Sequence, residues 1–432
     1  MSRRARVALV AGVGLGVLWL EAGPLWRALY PVLPRGVQAV PYRLQAYLPG
    51  PRPTPVALPT PPPIATGSSP SVRGGPTSSG APETGARVSG GQAAATRITV
   101  PTSSPSPAAM RAPTGSLPAT ATSPPPASAH LGGLRHEYQT WNNCGPATVS
   151  MALSLFGSQG GQADAARRLK PDPDDKNVGP DELARYAAEQ GFVARVRVNG
   201  DEDLLRRLLA LGVPVIVETW FIPEPGDEMG HYRVLTGYDD AAGAFDAADS
   251  YNGPAIRLPY ASLDALWRVF NRTYVVIYPP QRAGEVEALL GDRLDDQAMY
   301  AAAAARAQAE IAAREDAYGW FNLGSSLVGI GDRAGAVGAY DRARGLGLPW
   351  RMLWYQFGPF EAYAAAGRWD DVIALADANL RNAPNLEESH YWRGRAMDAR
   401  GDTDGARAAW RRAVDLNPLY PAPREALASP GP

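Results

Sequence analysis

A proline-rich tract at residues 51–130 limits what this chain can fold into more than any other feature. It contains 18 prolines and no Trp, Tyr or Phe. Such a segment cannot bury enough apolar surface to offset the conformational entropy that it would lose on ordering. We therefore predict a disordered linker, partly polyproline II and partly coil, that spans roughly 50 Å as a coil. Most folded structure is then expected after residue 130 of the 432-residue chain.

The segment before the linker, residues 1–50, has the pattern of an export signal. Arg3, Arg4 and Arg6 precede residues 7–20, which carry no charge. This stretch is short for a transmembrane helix, which needs about 20 apolar residues. No small-x-small cleavage site follows it, which favours an uncleaved membrane anchor over a cleaved signal. The arginines favour a cytoplasmic N-terminus, so we expect an extracytoplasmic bacterial protein that is membrane-anchored or secreted.

Charge and cysteine content exclude several classes of function. The formal net charge of −1 gives no basic field that would attract nucleic acid. Cys144 is the only cysteine, which excludes an intramolecular disulfide and a cysteine-based zinc or iron–sulfur site. A calcium loop is not expected either, because the acidic stretch at residues 172–177 lacks the required Gly and distal Glu, and we predict a solvated loop there. The sequence thus predicts no metal and no cofactor.

Between residues 131 and 282 the pattern changes from helical spacing to runs that are typical of strands. Helices come first, and β-branched or aromatic runs then predict a mostly antiparallel set of strands. Helices followed by strands predict an α+β domain. The expected helices cover residues 147–156, 180–190 and 201–211, and the expected strands cover residues 192–198, 213–220, 231–238, 244–248 and 273–278.

Residues 283–432 are predicted to be helical, with a repeat of about 34 residues. In each unit a glycine ends the first helix of a pair and a proline closes the unit. These landmarks are Gly331, Gly367 and Gly401, followed by Pro349, Pro384 and Pro418. The region resembles three tetratricopeptide repeats over residues 318–418, which implies an all-α domain that binds a protein partner on its concave face. Pro359 and Phe360 depart from the usual Leu–Gly of the middle unit, and the alternative is an irregular helical bundle.

The single cysteine lies where a thiolate would be stabilised. Gly145-Pro146 follows it, and proline is tolerated in the first turn of a helix, so Cys144 is predicted at a helix start. The helix dipole and the free N–H groups there lower the pKa of a thiol. Gln139, on a predicted strand that enters the same turn, can donate toward the same point as the Cys144 N–H, and two such donors make an oxyanion hole.

A histidine and an aspartate complete the candidate group. His231 opens a predicted strand after a loop, and the next strand ends at Asp249. An antiparallel return would bring the end of the second strand near the start of the first, so Asp249 can orient the His231 ring. Taken singly, each residue is more typical of a structural role: Cys144 as a small buried hydrophobic residue, His231 as a half-buried strand residue and Asp249 as a turn former.

These segments together resemble the C39-like cysteine peptidases of the papain-like fold. The shared motifs are Gln-x4-Cys-Gly-Pro-Ala from Gln139, Gly-His-Tyr-x-Val-Leu-x-Gly-Tyr-Asp from residue 230, and a strand that ends in Asp249. The resemblance implies Cys144 as nucleophile, His231 as general base and acid, Asp249 as the orienting residue and Gln139 as oxyanion donor. Ser250 follows Asp249 where many relatives have proline, so Asp246 is the alternative orienting carboxylate.

The sequence therefore predicts an exported thiol hydrolase that cleaves a peptide or amide bond of a peptide or protein substrate. Relatives that trim double-glycine leader peptides are fused to transporters, and this chain has no transporter, so that specificity is not transferred. The alternative is a non-enzymatic scaffold, in which a degenerate peptidase-like domain and the repeats only bind protein.

Overall fold

The computed structural model describes residues 55–61, 124–222 and 227–429. The predicted anchor at residues 1–50 and most of the predicted linker lie outside these ranges. Among the helices in the described ranges, none is both long enough and apolar enough to cross a membrane.

A seven-stranded sheet forms the centre of the first folded region, and every neighbouring pair of strands is antiparallel. The strand order is β2-β7-β3-β4-β5-β6, and β1 pairs with β4 where β4 extends past its pairing with β3. The α+β prediction is confirmed for this region. The strands are β1 Ser128–His130, β2 Val193–Arg197, β3 Val215–Phe221, β4 Met229–Asp239, β5 Ala244–Asp249, β6 Gly253–Pro259 and β7 Tyr274–Tyr278.

Helices cover both faces of this sheet, so its central strands are buried along most of their length. Side chains alternate between the faces, so Val215 and Val217 enter one core while Ile216 enters the other. Two strands of this region, β1 and β6, and the two eight-residue helices at residues 162–169 and 260–267 were not predicted. The helices are α1 Cys144–Ser154, α2 Gln162–Leu169 and α3 Pro180–Glu189 on the Ile216 face, and α4 Glu202–Ala210, α5 Tyr260–Trp267 and α6 Ala283–Leu290 on the other.

The C-terminal region is helical, as predicted, and contains three successive helix pairs. Gly331, Gly367 and Gly401 lie between the helices of each pair with φ of 86°, 69° and 84°, a left-handed conformation that glycine adopts without strain. The first helix of the middle pair is short because Pro359 is confined to its first turn. After α7 Asp296–Ala313 the pairs are α8 Ala317–Gly329 with α9 Arg333–Leu346, α10 Gly358–Ala365 with α11 Trp369–Asn382, and α12 Glu387–Ala399 with α13 Thr403–Leu416, before α14 Pro421–Ala428.

The sheet domain and the helical region share buried side chains on both sides of residue 282. Val286 and Leu290 of α6 belong to the core of the sheet domain. Conversely, Trp220 of β3 and Phe270 lie in the apolar cluster that also contains Phe321 and Tyr340 of the helical region.

Ordered residues occur at both ends of the range predicted as linker. Residues 55–61 contact the helical region through hydrogen bonds to Arg344 and Asn382. At the other end, β1 fills the edge that β4 leaves open, and the Tyr238 hydroxyl donates to the Pro126 carbonyl at 2.5 Å.

Candidate active site

The thiol of Cys144 lies at the first residue of α1, as the Gly145-Pro146 signal predicted. Gly145 is buried there, and a Cβ at this position would lie 3.1 Å from Cβ of Val178, so the absence of a side chain lets the helix start pack closely against that segment. All residues of α1 after Cys144 are buried, whereas Cys144 itself is partly exposed. The nucleophile candidate is therefore held by a rigid buried helix but remains reachable.

His231 and Asp249 meet through the antiparallel pairing of β4 and β5. Val234 pairs with Ala248, which places the start of β4 beside the end of β5. A register shift in the β5–β6 pairing just before Asp249 is typical of a bulge, a feature that re-aims side chains next to active sites. His231 Nε2 lies 3.0 Å from Asp249 Oδ1, and both side chains are buried.

The other side of the His231 ring bonds to the thiol. The Cys144 side chain shares a hydrogen bond with His231 and also accepts one from the Tyr232 backbone N–H. Because Nε2 is engaged by Asp249, Nδ1 is the ring nitrogen that remains for the sulfur. The structure thus brings Cys144, His231 and Asp249 into one hydrogen-bonded chain.

Asp246, the alternative carboxylate, lies elsewhere. Its side chain bonds to Arg257 at 3.2 Å on the surface and lies 3.9 Å from the His130 ring. It is Asp249 that contacts His231, and the serine that follows it does not prevent this contact.

Asp249 is surrounded by donors that the sequence analysis missed. Arg233 Nε donates to Oδ2 at 2.9 Å, and the backbone N–H groups of Tyr251 and Asn252 donate to Oδ1 at 2.8 and 2.9 Å. The Asn252 side chain adds a bond to Oδ2 at 3.0 Å. Arg233 could have been found from its position, because residues two apart on a strand share a face and His231 is two residues earlier.

These contacts shift the pKa of each member of the group. Burial alone raises the pKa of the Cys144 thiol, but the hydrogen bond and charge of His231, with a smaller effect of Lys170, lower it below its ordinary value. Burial alone lowers the pKa of His231, but Asp249 and Cys144 raise it to about 9. Burial alone raises the pKa of Asp249, yet His231 and Arg233 hold it well below its usual range. All three shifts favour a thiolate, an imidazolium and a carboxylate.

Gln139 is oriented by the residue that departs from the family pattern. The Ser250 hydroxyl donates to Gln139 Oε1 at 2.7 Å, and the Gln139 N–H donates to the Ser250 carbonyl at 2.8 Å. With the amide oxygen used in this way, the amide NH2 is the end that can donate to a substrate. The Gln162 side chain holds the backbone on either side of Gln139. It accepts from the Thr140 N–H at 2.8 Å and donates to the Tyr138 carbonyl at 2.6 Å.

A buried lysine supports the turn that leads to the thiol. Lys170 Nζ donates to the Asn142 carbonyl at 2.9 Å, and Asn142 has φ of 54°, a left-handed conformation that asparagine tolerates better than most residues. In the sequence, Lys170 stands out only because it and Lys176 are the only lysines in the chain. The turn is thus held by a cation whose charge also favours the thiolate.

The helical region forms one wall of the loop that precedes His231. Arg351 donates to Asp227 Oδ1 at 2.7 Å and to the Glu228 carbonyl at 3.0 Å. A Cβ at Gly230 would lie 2.9 Å from the Tyr355 ring, so only glycine allows this approach. The start of β4 is therefore positioned partly by helices outside the sheet domain.

The acidic stretch predicted as a solvated loop is solvated only in part, since Asp174 is exposed whereas Asp175 and Asn177 are buried. Asp175 and Asn177 are 2% and 5% exposed, because α12 covers them and Asn177 donates to Glu388 Oε1 at 3.1 Å. Within residues 55–61, 124–222 and 227–429, no group of three or more His, Cys, Asp or Glu side chains could hold a metal ion.

Residues 133–275, about a third of the chain, match the model of the Peptidase_C39 like family. Two solved structures are similar over 35% of this chain. One is described as a C39-like peptidase from Bacillus anthracis, with 15% identity, 97% of its chain covered and a TM-score of 0.30. The other is a double glycine motif protease from an AMS/PCAT transporter in complex with the leader peptide, with 16% identity, 94% of its chain covered and a TM-score of 0.27. No curated protein matches the chain.

Proposed function

We propose that this chain is an exported cysteine peptidase that hydrolyses peptide bonds through Cys144, His231 and Asp249. The observation that carries the proposal is the continuous hydrogen-bonded chain from a thiol at a helix N-terminus through an imidazole to a buried carboxylate. The match of residues 133–275 to a peptidase family supports a thiol peptidase of this kind.

The reaction begins with an ion pair. Cys144 carries a thiolate, stabilised by the His231 imidazolium, the helix start and Lys170. The sulfur attacks the carbonyl carbon of the scissile bond, and the carbonyl oxygen becomes an oxyanion. The Gln139 amide and the Cys144 N–H donate to this oxyanion, and the loss of one such donor typically slows catalysis about a hundredfold or more.

His231 then acts twice. As an acid it protonates the leaving amine, which releases the first product and leaves an acyl group on Cys144. As a neutral base it takes a proton from water, which attacks the thioester and frees the second product. Asp249 stabilises the imidazolium through Nε2 and holds the ring in the orientation that both steps need.

The other parts of the chain are assigned supporting roles. Residues 1–50 direct export and anchor the chain in the membrane, and the three helix pairs act as tetratricopeptide-type repeats that bind a protein. A reporter enzyme that is active only outside the cytoplasm, fused after residue 50, tests the export assignment; an inactive fusion contradicts it.

The decisive experiment combines a thiol-reactive probe with peptide hydrolysis. Cys144 is the only thiol, so the wild-type chain should label at one site, and Cys144→Ala should keep its fold but hydrolyse peptides at less than about a thousandth of the wild-type rate. Gln159→Cys in the Cys144→Ala background supplies an exposed ordinary thiol as the matched control. If Cys144 labels no faster than this control near pH 6 and no peptide in a library is cleaved, the scaffold alternative is correct.

A further inference from the structure

The segment at residues 55–61, sequence PVALPTP, is held against the helical region by backbone contacts. Asn382, the last residue of α11, binds both polar groups of one residue: its Oδ1 accepts from the Val56 N–H, and its Nδ2 donates to the Val56 carbonyl, both at 2.8 Å. A side-chain amide that pairs with the N–H and C=O of one residue reproduces the pairing of a neighbouring strand. It therefore recognises an extended main chain independently of the side chain at that position.

A second contact lies three residues further along the segment. Arg344 of α9 donates from Nε and Nη2 to the Pro59 carbonyl at 3.0 and 2.8 Å. Its guanidinium is fixed before any peptide binds, because Nη1 also bonds to Asp371 at 2.7 Å and the group lies 5.1 Å from the centre of the Tyr363 ring. The contacts with Asp371 and Tyr363 therefore pre-organise this donor pair.

An apolar contact lies between the two polar ones. Leu58 packs against the apolar cluster that fills the helix pairs. Residues three apart face the same side of a polyproline II helix, which fits polar contacts at Val56 and Pro59. Prolines at both ends of the segment restrict the free chain, so little conformational entropy is lost when it binds.

We propose that α9 and α11 form a recognition site for extended, proline-containing peptides, and that residues 55–61 of the same chain occupy it as an internal ligand. A ligand that belongs to the same chain binds in an intramolecular step, so its effective concentration does not fall when the protein is diluted. The segment therefore excludes peptides of other proteins from this surface unless they bind considerably more tightly. The proposal does not depend on catalysis by Cys144.

The test uses the full chain and a fluorescent peptide of sequence PVALPTP. In one variant, residues 55–61 are replaced by seven Gly and Ser residues, which empties the site. We expect this variant to bind the peptide at least tenfold more tightly than the wild-type chain, whose site is filled. Equal affinity for both chains, or binding to neither, overturns the proposal.

A matched pair of asparagines tests the contact itself. Asn382→Ala in the replaced variant should weaken peptide binding at least tenfold, because two hydrogen bonds are lost. Asn385→Ala should leave it unchanged, since the side chain of Asn385 bonds to Arg412 instead. Equal effects of the two substitutions contradict the assigned site.

Two further measurements keep the proposal falsifiable. If the replaced variant does not fold, hydrogen exchange of the Val56 amide in the full chain is measured instead: Asn382→Ala should accelerate it at least tenfold and Asn385→Ala should not.

A wild-type chain that dimerises while the replaced variant stays monomeric would mean that the segment binds a second copy, and the internal assignment would be wrong. Labelling of Cys144 should be the same in all these variants, so this test and that of the peptidase proposal fail separately.

Discussion

Two regions of the molecule contain buried carboxyl groups whose pKa values are shifted in opposite directions. In the sheet domain, Asp249 is completely buried and its pKa is held well below the usual range. Where α12 meets the loop before α3, burial raises the pKa of Asp175 well above its ordinary value, and burial raises the pKa of Glu387 to about 7.

The two regions differ in how many hydrogen-bond donors surround the buried carboxyl group. Asp249 receives bonds from His231, Arg233, Tyr251 and Asn252. Glu387 accepts from the Asn417 side chain at 2.9 Å and from its own backbone N–H, and it is repelled by Glu182 and Asp172. Burial penalises charge in both places, so the local donors decide which carboxyl group is an anion at neutral pH. The carboxyl group with the lowered pKa belongs to the candidate active site, and those with raised pKa values lie where the two regions meet.

The largest expected effect comes from removing the charge of Asp249. Asp249→Asn should lower kcat/KM about a thousandfold, because the His231 ring loses the anion that stabilises its charged form. Labelling of Cys144 should fall less than turnover, since the helix start and Lys170 still favour the thiolate.

Asp246→Asn is the matched control on the same strand, because that side chain bonds to Arg257 at the surface. It should keep activity within about threefold, on the order of 0.6 kcal/mol. A loss as large as that of Asp249→Asn would mean that the orienting carboxylate is misassigned.

Removing a donor should cost stability in the same region. Arg233→Met leaves Asp249 with fewer partners in a buried site, and breaking a buried ion pair typically costs about 3 kcal/mol or more. Arg257→Met removes a surface ion pair, side chains 54% and 28% exposed, and should cost less than about 1 kcal/mol. Urea unfolding of both variants measures the contrast, which would be refuted by equal losses.

The other region should show the opposite response to pH. The folded pKa of Glu387, about 7, lies above its ordinary value of 4.5. Its contribution to stability is therefore fully present below the unfolded pKa and is lost as pH rises through the folded pKa. This loss is on the order of 2 kcal/mol between about pH 5 and pH 8.

Glu387→Gln keeps an acceptor for Asn417 and should remove that part of the pH dependence. Glu361→Gln is the control, because Glu361 pairs with Arg333 at the surface. Thermal unfolding at a series of pH values compares the two variants. If stability depends on pH in Glu387→Gln as it does in the wild-type chain, the pKa of Glu387 is not raised.

The smallest expected effect is a shift in the titration of the thiol. His231→Ala should raise the pKa that governs alkylation of Cys144 by about one unit, or about 1.4 kcal/mol. In the wild-type chain, hydrolysis should rise in acid as the thiolate forms and fall near pH 9 as His231 loses its proton.

His390→Ala is the matched control from the helical region, where the ring bonds to the Pro384 carbonyl. It should leave both limbs of the profile unchanged. Alkylation that titrates at the same pH in wild-type and His231→Ala chains would show that the ion pair does not exist.

Much of the sheet domain could be predicted because its signals are local. The predicted strand at residues 231–238 lies within β4, and the helix start at Cys144 follows from the Gly-Pro pair alone. The helix pairs could also be predicted, because each of them contains a glycine that adopts a left-handed conformation between its two helices. Short elements such as β1 were missed, because an element of three residues has no periodicity to detect.

Partners that lie far apart in sequence were harder to infer. Hydrogen-bond partners such as Gln139 and Ser250 lie in separate segments, and their contact depends on how α1 and β5 pack. The burial of Asp175 was mispredicted for the same reason, since α12, more than 200 residues later, covers it.

The sequence by itself determined most of the longer elements, the thiol at a helix start, and the histidine and carboxylate on adjacent strands. Only the tertiary structure showed that Asp249, rather than Asp246, contacts His231, supplied Arg233 and Lys170 to the site, and placed residues 55–61 against α9 and α11. The physical reason is that backbone propensity and periodicity act over one element. Burial and donor supply, in contrast, depend on which elements pack together, and these two quantities set the charge on each buried group.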